Sequence, residues 1–222
     1  KAILGNTLHR IRALISFGEV GAGELGGWIE KEENLDASGN AWVYGNAQVY
    51  GNAQVSGNAQ VYGNARVSGN ARVYGDARVS GNAWVYGDAR VFDNARVDGD
   101  ACVYGDACVY GNAWVYGNAW VCGNARVYGD ARVDGDARVY KCGAIFWISN
   151  VGSRDDTATF FACRDKKIKV IVGCFFGDLD EFAAAVQKTH GDNTHAKVYR
   201  LAIEMAKERI KMDDMPEESN DG

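Results

Sequence analysis

Alanine recurs every six residues from Ala41 to Ala137 without a slip, and valine follows each alanine two positions later. The run makes seventeen consecutive hexads close to A-x-V-Y-G-N/D. So strict a period marks a solenoid, in which each unit buries its apolar face only by stacking on its neighbours. Within a hexad, Ala and Val alternate with polar or aromatic residues. That reads as a very short strand with one small apolar face. The Gly-Asn or Gly-Asp pair that follows is a turn, because both residue types tolerate positive φ.

Two arrangements compete. If each pair closed a two-residue hairpin, the flanking residues, such as Tyr44 and Ala47, would share a face. Successive Ala/Val faces would then point to opposite sides, and no common core would form. If each pair instead bends the chain at a corner, every Ala and Val points inward. Three hexads, about 18 residues, then close a triangular coil, and like residues fall above like in parallel strands. The run amounts to about 6 such coils.

Composition agrees. There are 28 Gly but only one Pro, Pro216. Corner turns use the glycine, and stacked strands that need their backbone N–H groups exclude the proline. Hydrophobic residues at 47% and aromatics at 11% rule out a disordered chain. No apolar run approaches the roughly 18–20 residues that cross a bilayer, so no membrane association is expected. The net charge of −5 is spread evenly, with 8 Arg and 9 Asp between residues 40 and 140. No segment is basic enough to hold nucleic acid by charge. The six Cys, at 102, 108, 122, 142, 163 and 174, form no CxxC and no zinc spacing with His. No metal or other cofactor is expected. With no export signal in view, the cysteines read as reduced thiols and the expected location is the cytoplasm.

The V-Y-G-N-A-x run resembles the hexapeptide repeat of left-handed parallel β-helix proteins, with an aliphatic residue and then a small one four positions on. The resemblance implies a left-handed coil, an exception to the usual crossover hand, and a homotrimer. The expected fold is mainly β. It comprises an N-terminal strand and cap over residues 1–40 and a left-handed parallel β-helix, a triangular prism, over 41–140. A small C-terminal α+β domain over 141–212 and an acidic tail over 213–222 follow. The opening phrases T-L-H-R-I-R-A-L and G-E-V-G-A-G-E-L-G-G-W-I-E-K-E-E-N-L also resemble the start of uncharacterised phage and bacterial hexapeptide-repeat proteins. This second resemblance suggests a phage origin and brings no activity with it.

Many hexapeptide proteins are acyltransferases, and that resemblance implies a His general base and loops that break the helix. Here His9, His190 and His195 all lie outside the repeat, and no loop interrupts it. Acyl transfer needs a base within hydrogen-bond reach of the acceptor, so the sequence argues against this alternative. Carbonic anhydrase chemistry would need several His ligands.

Sorting the outward positions every third hexad gives columns. One holds Tyr74, Phe92, Tyr110 and Tyr128 beside Arg72, Arg90, Cys108 and Arg126. A second holds Gln48, Arg66, Trp84, Cys102, Trp120 and Arg138 beside Tyr50, Ser68, Tyr86, Tyr104, Cys122 and Tyr140. A third holds Trp42, Gln60, Arg78, Arg96, Trp114 and Arg132. Such ladders can stabilise the coil itself, with Arg over ring faces. They can also form an oligomer or partner surface, for which Tyr74, Phe92, Tyr110, Tyr128, Trp84, Trp120, Arg72 and Arg90 are the candidates.

Towards the N-terminus, Leu8, Ile11 and Leu14 are expected to anchor a strand, and Leu25, Trp28, Ile29 and Leu35 to plug the open end. After the repeat, strands are expected over 144–150, 157–163 and 168–176. Asp178 should cap a helix over about 179–189 with Glu181 at its third position, and a second helix should span about 196–211. The loops Asn150–Thr157 and Thr189–Asn193 hold the candidate ligand residues Ser153, Arg154, Asp156, Thr157, His190, Asp192 and Asn193. Gly, hydroxyls and Arg154 can cradle an anion, although the same residues are ordinary in turns. Gly173-Cys174-Phe175 has no His–Asp partner at a familiar spacing.

The functional expectation is a non-enzymatic, phage-type binding or assembly protein. Its partner would be a host protein or a small nucleotide. A hexapeptide-type acyltransferase and a purely structural scaffold are the rivals.

Overall fold

The computed structural model describes residues 2–3 and 6–212, so the expected acidic tail from Asp213 lies outside the described residues. Four N-terminal strands, β1 (Ala2–Ile3), β2 (Asn6–Thr7), β3 (His9–Arg12) and β4 (Leu25–Ile29), precede the repeat. Seventeen two-residue strands follow, one every six residues, from β5 (Trp42–Val43) to β21 (Arg138–Val139). Consecutive strands fall into different sheets, and strands eighteen residues apart pair in parallel. Arg72 thus stands opposite Arg90 and Val73 opposite Val91. The result is a β-solenoid of about six turns with three sheets. The corner reading therefore holds, and the hairpin reading does not.

The Ala–Val column from Ala41 to Val139 is 0–3% exposed and fills the interior. Each corner needs a residue at positive φ. Gly75 sits at φ +72, and a Cβ there would come within 2.9 Å of the Asp93 nitrogen one coil on. Asp93 replaces glycine at one corner and holds φ +58, a conformation that costs an L residue energy. Side chains reinforce the corners. Asn40 Nδ2 donates to Asn58 Oδ1 at 3.1 Å, and Asn58 Nδ2 to Asp76 Oδ1 at 2.9 Å. The aspartate side chain has no N–H to donate, so each amide ladder ends where an Asp stands.

At the N-terminus, β4 extends one sheet by pairing parallel with β6 (Gln48–Val49), and β3 pairs antiparallel with β4. Ile29 and Leu35 cover the first coil as expected. Leu25 does not, being 49% exposed, and Leu14 is 88% exposed. Trp28 is half-buried beneath the Arg10 guanidinium. The plug also contains a polar residue that patterning did not reveal. Buried Asn34 accepts from the backbone N–H groups of Glu30 and Lys31 and donates to the carbonyls of Gly51 and Ala53. One side chain thus satisfies two carbonyls that a regular coil beneath would have paired.

At the other end, β22 (Ile145–Val151), β23 (Asp156–Ala162), β24 (Ile168–Val172) and β25 (Phe175–Asp178) form an antiparallel sheet in chain order. The expected strand over 168–176 is therefore two strands, folded back at Gly173 with φ +56. Helices α1 (Leu179–His190) and α2 (Thr194–Arg209) pack on this sheet. The sheet caps the solenoid. Arg132 N donates to buried Thr159 Oγ1, Arg164 N to Asp136 O, and Ala137 bridges Cys163. The core continues from Val139 into Ile145, Phe160 and Phe161 without a break. Paired and covered edges of this kind oppose end-to-end stacking. Among the described residues, no helix is long and apolar enough to cross a membrane.

Candidate functional site

The two candidate loops converge. The Asn150–Thr157 loop joins β22 to β23 and is forced tight, with Asn150, Gly152 and Asp155 all at positive φ. A Cβ on Gly152 would collide with the Tyr199 hydroxyl of α2, so this glycine permits the helix to close on the loop. The β24–β25 turn at Gly173-Cys174 approaches from the other side. Between these turns and the end of α1 lies a cleft of about 420 Å³. Ser153, Arg154, Asp156, Cys174, His190 and Tyr199 supply its polar groups, while Val172, Phe175, Phe182 and Val186 supply an apolar wall.

Of the seven candidate residues, four line this cleft: Ser153, Arg154, Asp156 and His190. The other three lie outside its lining and are held by local bonds. Thr157 Oγ1 donates to Ser149 Oγ at 2.9 Å. Asp192 takes an ion pair from Arg200 at 2.9 Å. Arg200 Nη2 also donates to the Gly191 carbonyl and to Gln187 Oε1, tying the α1–α2 turn. Asn193 is the N-cap of α2 and accepts from Ala196 N at 3.0 Å. Cys174, which the sequence sets aside for want of a His–Asp partner, lines the cleft, as does Tyr199, which no sequence signal marks as a site residue. The positive-φ turn that brings Cys174 in was hidden inside an expected strand, and Tyr199 reads from sequence as one more helix residue.

The His190 ring lies 5.7 Å from His195 and 5.8 Å from Tyr199. Burial raises the Tyr199 phenol above its ordinary pKa, and the Asp156 carboxylate adds to this. Cys174 is exposed. Among the described residues, no three His, Cys, Asp or Glu side chains cluster as a metal would require. The cleft thus offers a cation, a carboxylate, three hydroxyls, a thiol and an imidazole beside aromatic surface.

The outward columns fall where the eighteen-residue register puts them. Tyr74, Phe92, Tyr110 and Tyr128 stack with ring centroids 4.8–5.0 Å apart. Trp147 closes the Tyr128 end edge-on at 4.4 Å. Arg72 and Arg90 flank the stack, exposed. On the next face Trp84 and Trp120 lie under Arg66 and Arg138, at 5.8 and 4.2 Å from ring centroids. Burial raises Tyr104 in this column well above the ordinary phenol range.

Comparison with known proteins bears on the repeat. A family model described as "YdcK Beta solenoid repeat" matches residues 47–60, 59–73, 71–87, 107–123, 119–134 and 125–141. The matches lie within the solenoid and support a repeat β-helix protein. No curated protein matches the chain.

Proposed function

We propose that the chain is a non-enzymatic binding protein, a β-solenoid that self-associates and presents the C-terminal cleft to a small anionic ligand. The observation that carries this is the meeting of Ser153, Arg154, Asp156 and His190 on one cleft with an apolar wall. A few convergent polar groups over aromatic surface are the usual build of a small-molecule site. Arg154 and His190 suit a phosphate or carboxylate, and Phe175, Phe182 and Tyr199 suit a ring. The uninterrupted repeat without His supports binding over acyl transfer. The covered ends weigh against a scaffold that polymerises end to end.

The finer architecture belongs to the same proposal. The coil is left-handed with a triangular section, and three chains associate through the outward Tyr, Trp and Arg of the Trp84–Trp120 face. A phage protein that sequesters a host defence component in the cytoplasm, protein or small nucleotide, is the role that fits the resemblance.

Native mass spectrometry of protein purified from expressing cells tests the reading. The expected spectrum is a trimer retaining a small anion, with the anion lost in Arg154→Ala and the melting temperature kept. Retention unchanged by Arg154→Ala removes the cleft, and a clear monomer by light scattering removes the assembly.

A further inference from the structure

The outward columns contain three serines where most hexads carry a ring: Ser56, Ser68 and Ser80. Two of them are covered. Ser68 and Ser80 are each 6% exposed, and the Trp84 indole N–H donates to Ser68 Oγ at 3.4 Å. Ser56 differs. It is half-exposed and opens onto a cavity of about 260 Å³ lined by Gln54, Ser56, Arg72, Tyr74 and Arg90.

This cavity lies at the unfinished end of the four-ring stack. At the far end Trp147 closes the ladder against Tyr128. At the near end Tyr74 has Phe92 on one face, and the next rung of its column is Ser56, which carries no ring. A planar ring seated over Ser56 would stack on Tyr74 one coil spacing away, about 4.8 Å, as the protein's own rings do. The coil below places Asp36 under Ser56, because Asp36 N donates to Val55 O. The Asp36 carboxylate turns away to the Ser38 N–H at 2.8 Å, and it does not line the cavity.

The charge lining this cavity is one-sided. Arg72 and Arg90 stand in register on adjacent strands. Among the described residues neither forms an ion pair. Two like charges one coil apart repel, and an oxyanion between their planar forks would relieve this with bidentate hydrogen bonds. Gln54 and Ser56 add an amide and a hydroxyl. We infer that this cavity is a second ligand site, for a planar aromatic ring carrying a phosphate or carboxylate, which completes the Tyr74 ladder and neutralises the Arg72–Arg90 pair. It shares no residue with the C-terminal cleft.

Isothermal titration of the full chain tests this with adenosine monophosphate, adenosine, inorganic phosphate and 4-hydroxybenzoate. The expected result is saturable sub-millimolar binding of adenosine monophosphate, 4-hydroxybenzoate or both. Adenosine and phosphate alone should bind at least about tenfold more weakly. Whichever anion binds, phosphate or carboxylate, identifies the group held. The titrations are made on Arg154→Ala, which lacks the cleft's cation, so that the two sites are read apart. Ser56→Tyr supplies the missing rung from the protein itself, so on that background it should abolish the remaining binding while the melting temperature holds or rises. Arg72→Gln with Arg90→Gln should weaken the ionic ligand there and leave adenosine unchanged. No saturable binding of either aromatic anion to Arg154→Ala, or binding there that survives Ser56→Tyr, would each overturn the assignment.

Discussion

The Arg138 guanidinium lies over Trp120, 4.2 Å from the ring centroid, and Nη1 donates to the carbonyls of Asn118 and Ala137. One side chain thus ties the last solenoid strand to the coil before it. Arg138→Ala should lower stability by about 1 kcal/mol. Arg138→Lys should recover only part, because an ammonium keeps the charge but loses the planar stack. Urea unfolding midpoints measure both, and an unchanged midpoint in Arg138→Ala removes this stack from the stabilising contacts.

Asp93 is the one hexad corner without glycine. Its φ of +58 carries a backbone cost, offset in part by a 3.3 Å bond from Gly111 N to its carboxylate. Asp93→Gly should therefore raise stability by up to about 1 kcal/mol. Asp93→Val should lower it, since a β-branched residue resists positive φ. Thermal melts of the two variants should move in opposite directions.

Val97 is fully buried, in register with Val79 below and Val115 above. Val97→Asp places a charge among apolar neighbours with no partner and should cost about 4 kcal/mol or more. Arg96→Gln, one residue away on the exposed face, loses only the cation–π contact with Trp114 and should cost no more than about 1 kcal/mol. Equal melting temperatures for the two would contradict the inward placement of valine.

Acid should loosen α1 first at its N-cap. The Asp178 carboxylate accepts from Glu181 N at 3.0 Å and Asp180 N at 3.1 Å and pairs with Lys167 at 2.9 Å. The Glu181 N–H, then Lys167, holds its pKa below the ordinary 3.8. A carboxyl with a lower pKa folded than unfolded adds stability above the unfolded value and loses it as pH falls through the folded one. Helix loss should therefore grow below roughly pH 4, with Asp178→Ala less acid-sensitive but weaker at neutral pH. Circular dichroism with urea at a series of pH values reads this directly.

Thiol reactivity should sort the cysteines. Cys142 and Cys174 are exposed, whereas burial pushes the Cys163 thiol up to about 12. Burial also raises Cys102 and Cys122. A thiol reagent near pH 8 should label Cys142 and Cys174 quickly and Cys163 only after unfolding. Peptide mapping by mass spectrometry checks the order.

The period of six carried most of the fold, because a strict repeat makes each residue's neighbours copies of itself. Knowing that Val73 points inward settles Val55 and Val91 as well. The Asp178 capping box was equally legible, being a local bond between residues three apart. What escaped was set by contacts far apart in sequence. Leu14 looks like a strand anchor and Leu25 like a plug by type, yet both are exposed, and Ile29, Leu35 and polar Asn34 cover the first coil. The cleft was half visible: loop composition indicated Ser153, Arg154, Asp156 and His190. Asp192 and Asn193 carried the same signal but serve the helix turn. Only packing of α2 against Gly152 brings Tyr199 in, and only the Gly173 reversal brings Cys174.

The eighteen-residue pairing also sets the grain in which such a chain can change length. Removing one whole coil leaves every remaining rung above a rung of its own column. Removing a single hexad rotates everything beyond it by one face. Tyr74 would then lie against a different column, and the cap would meet the wrong side of the final coil. Insertions and deletions in relatives of this solenoid should therefore come in threes of hexads, and its outward faces can lengthen only in step.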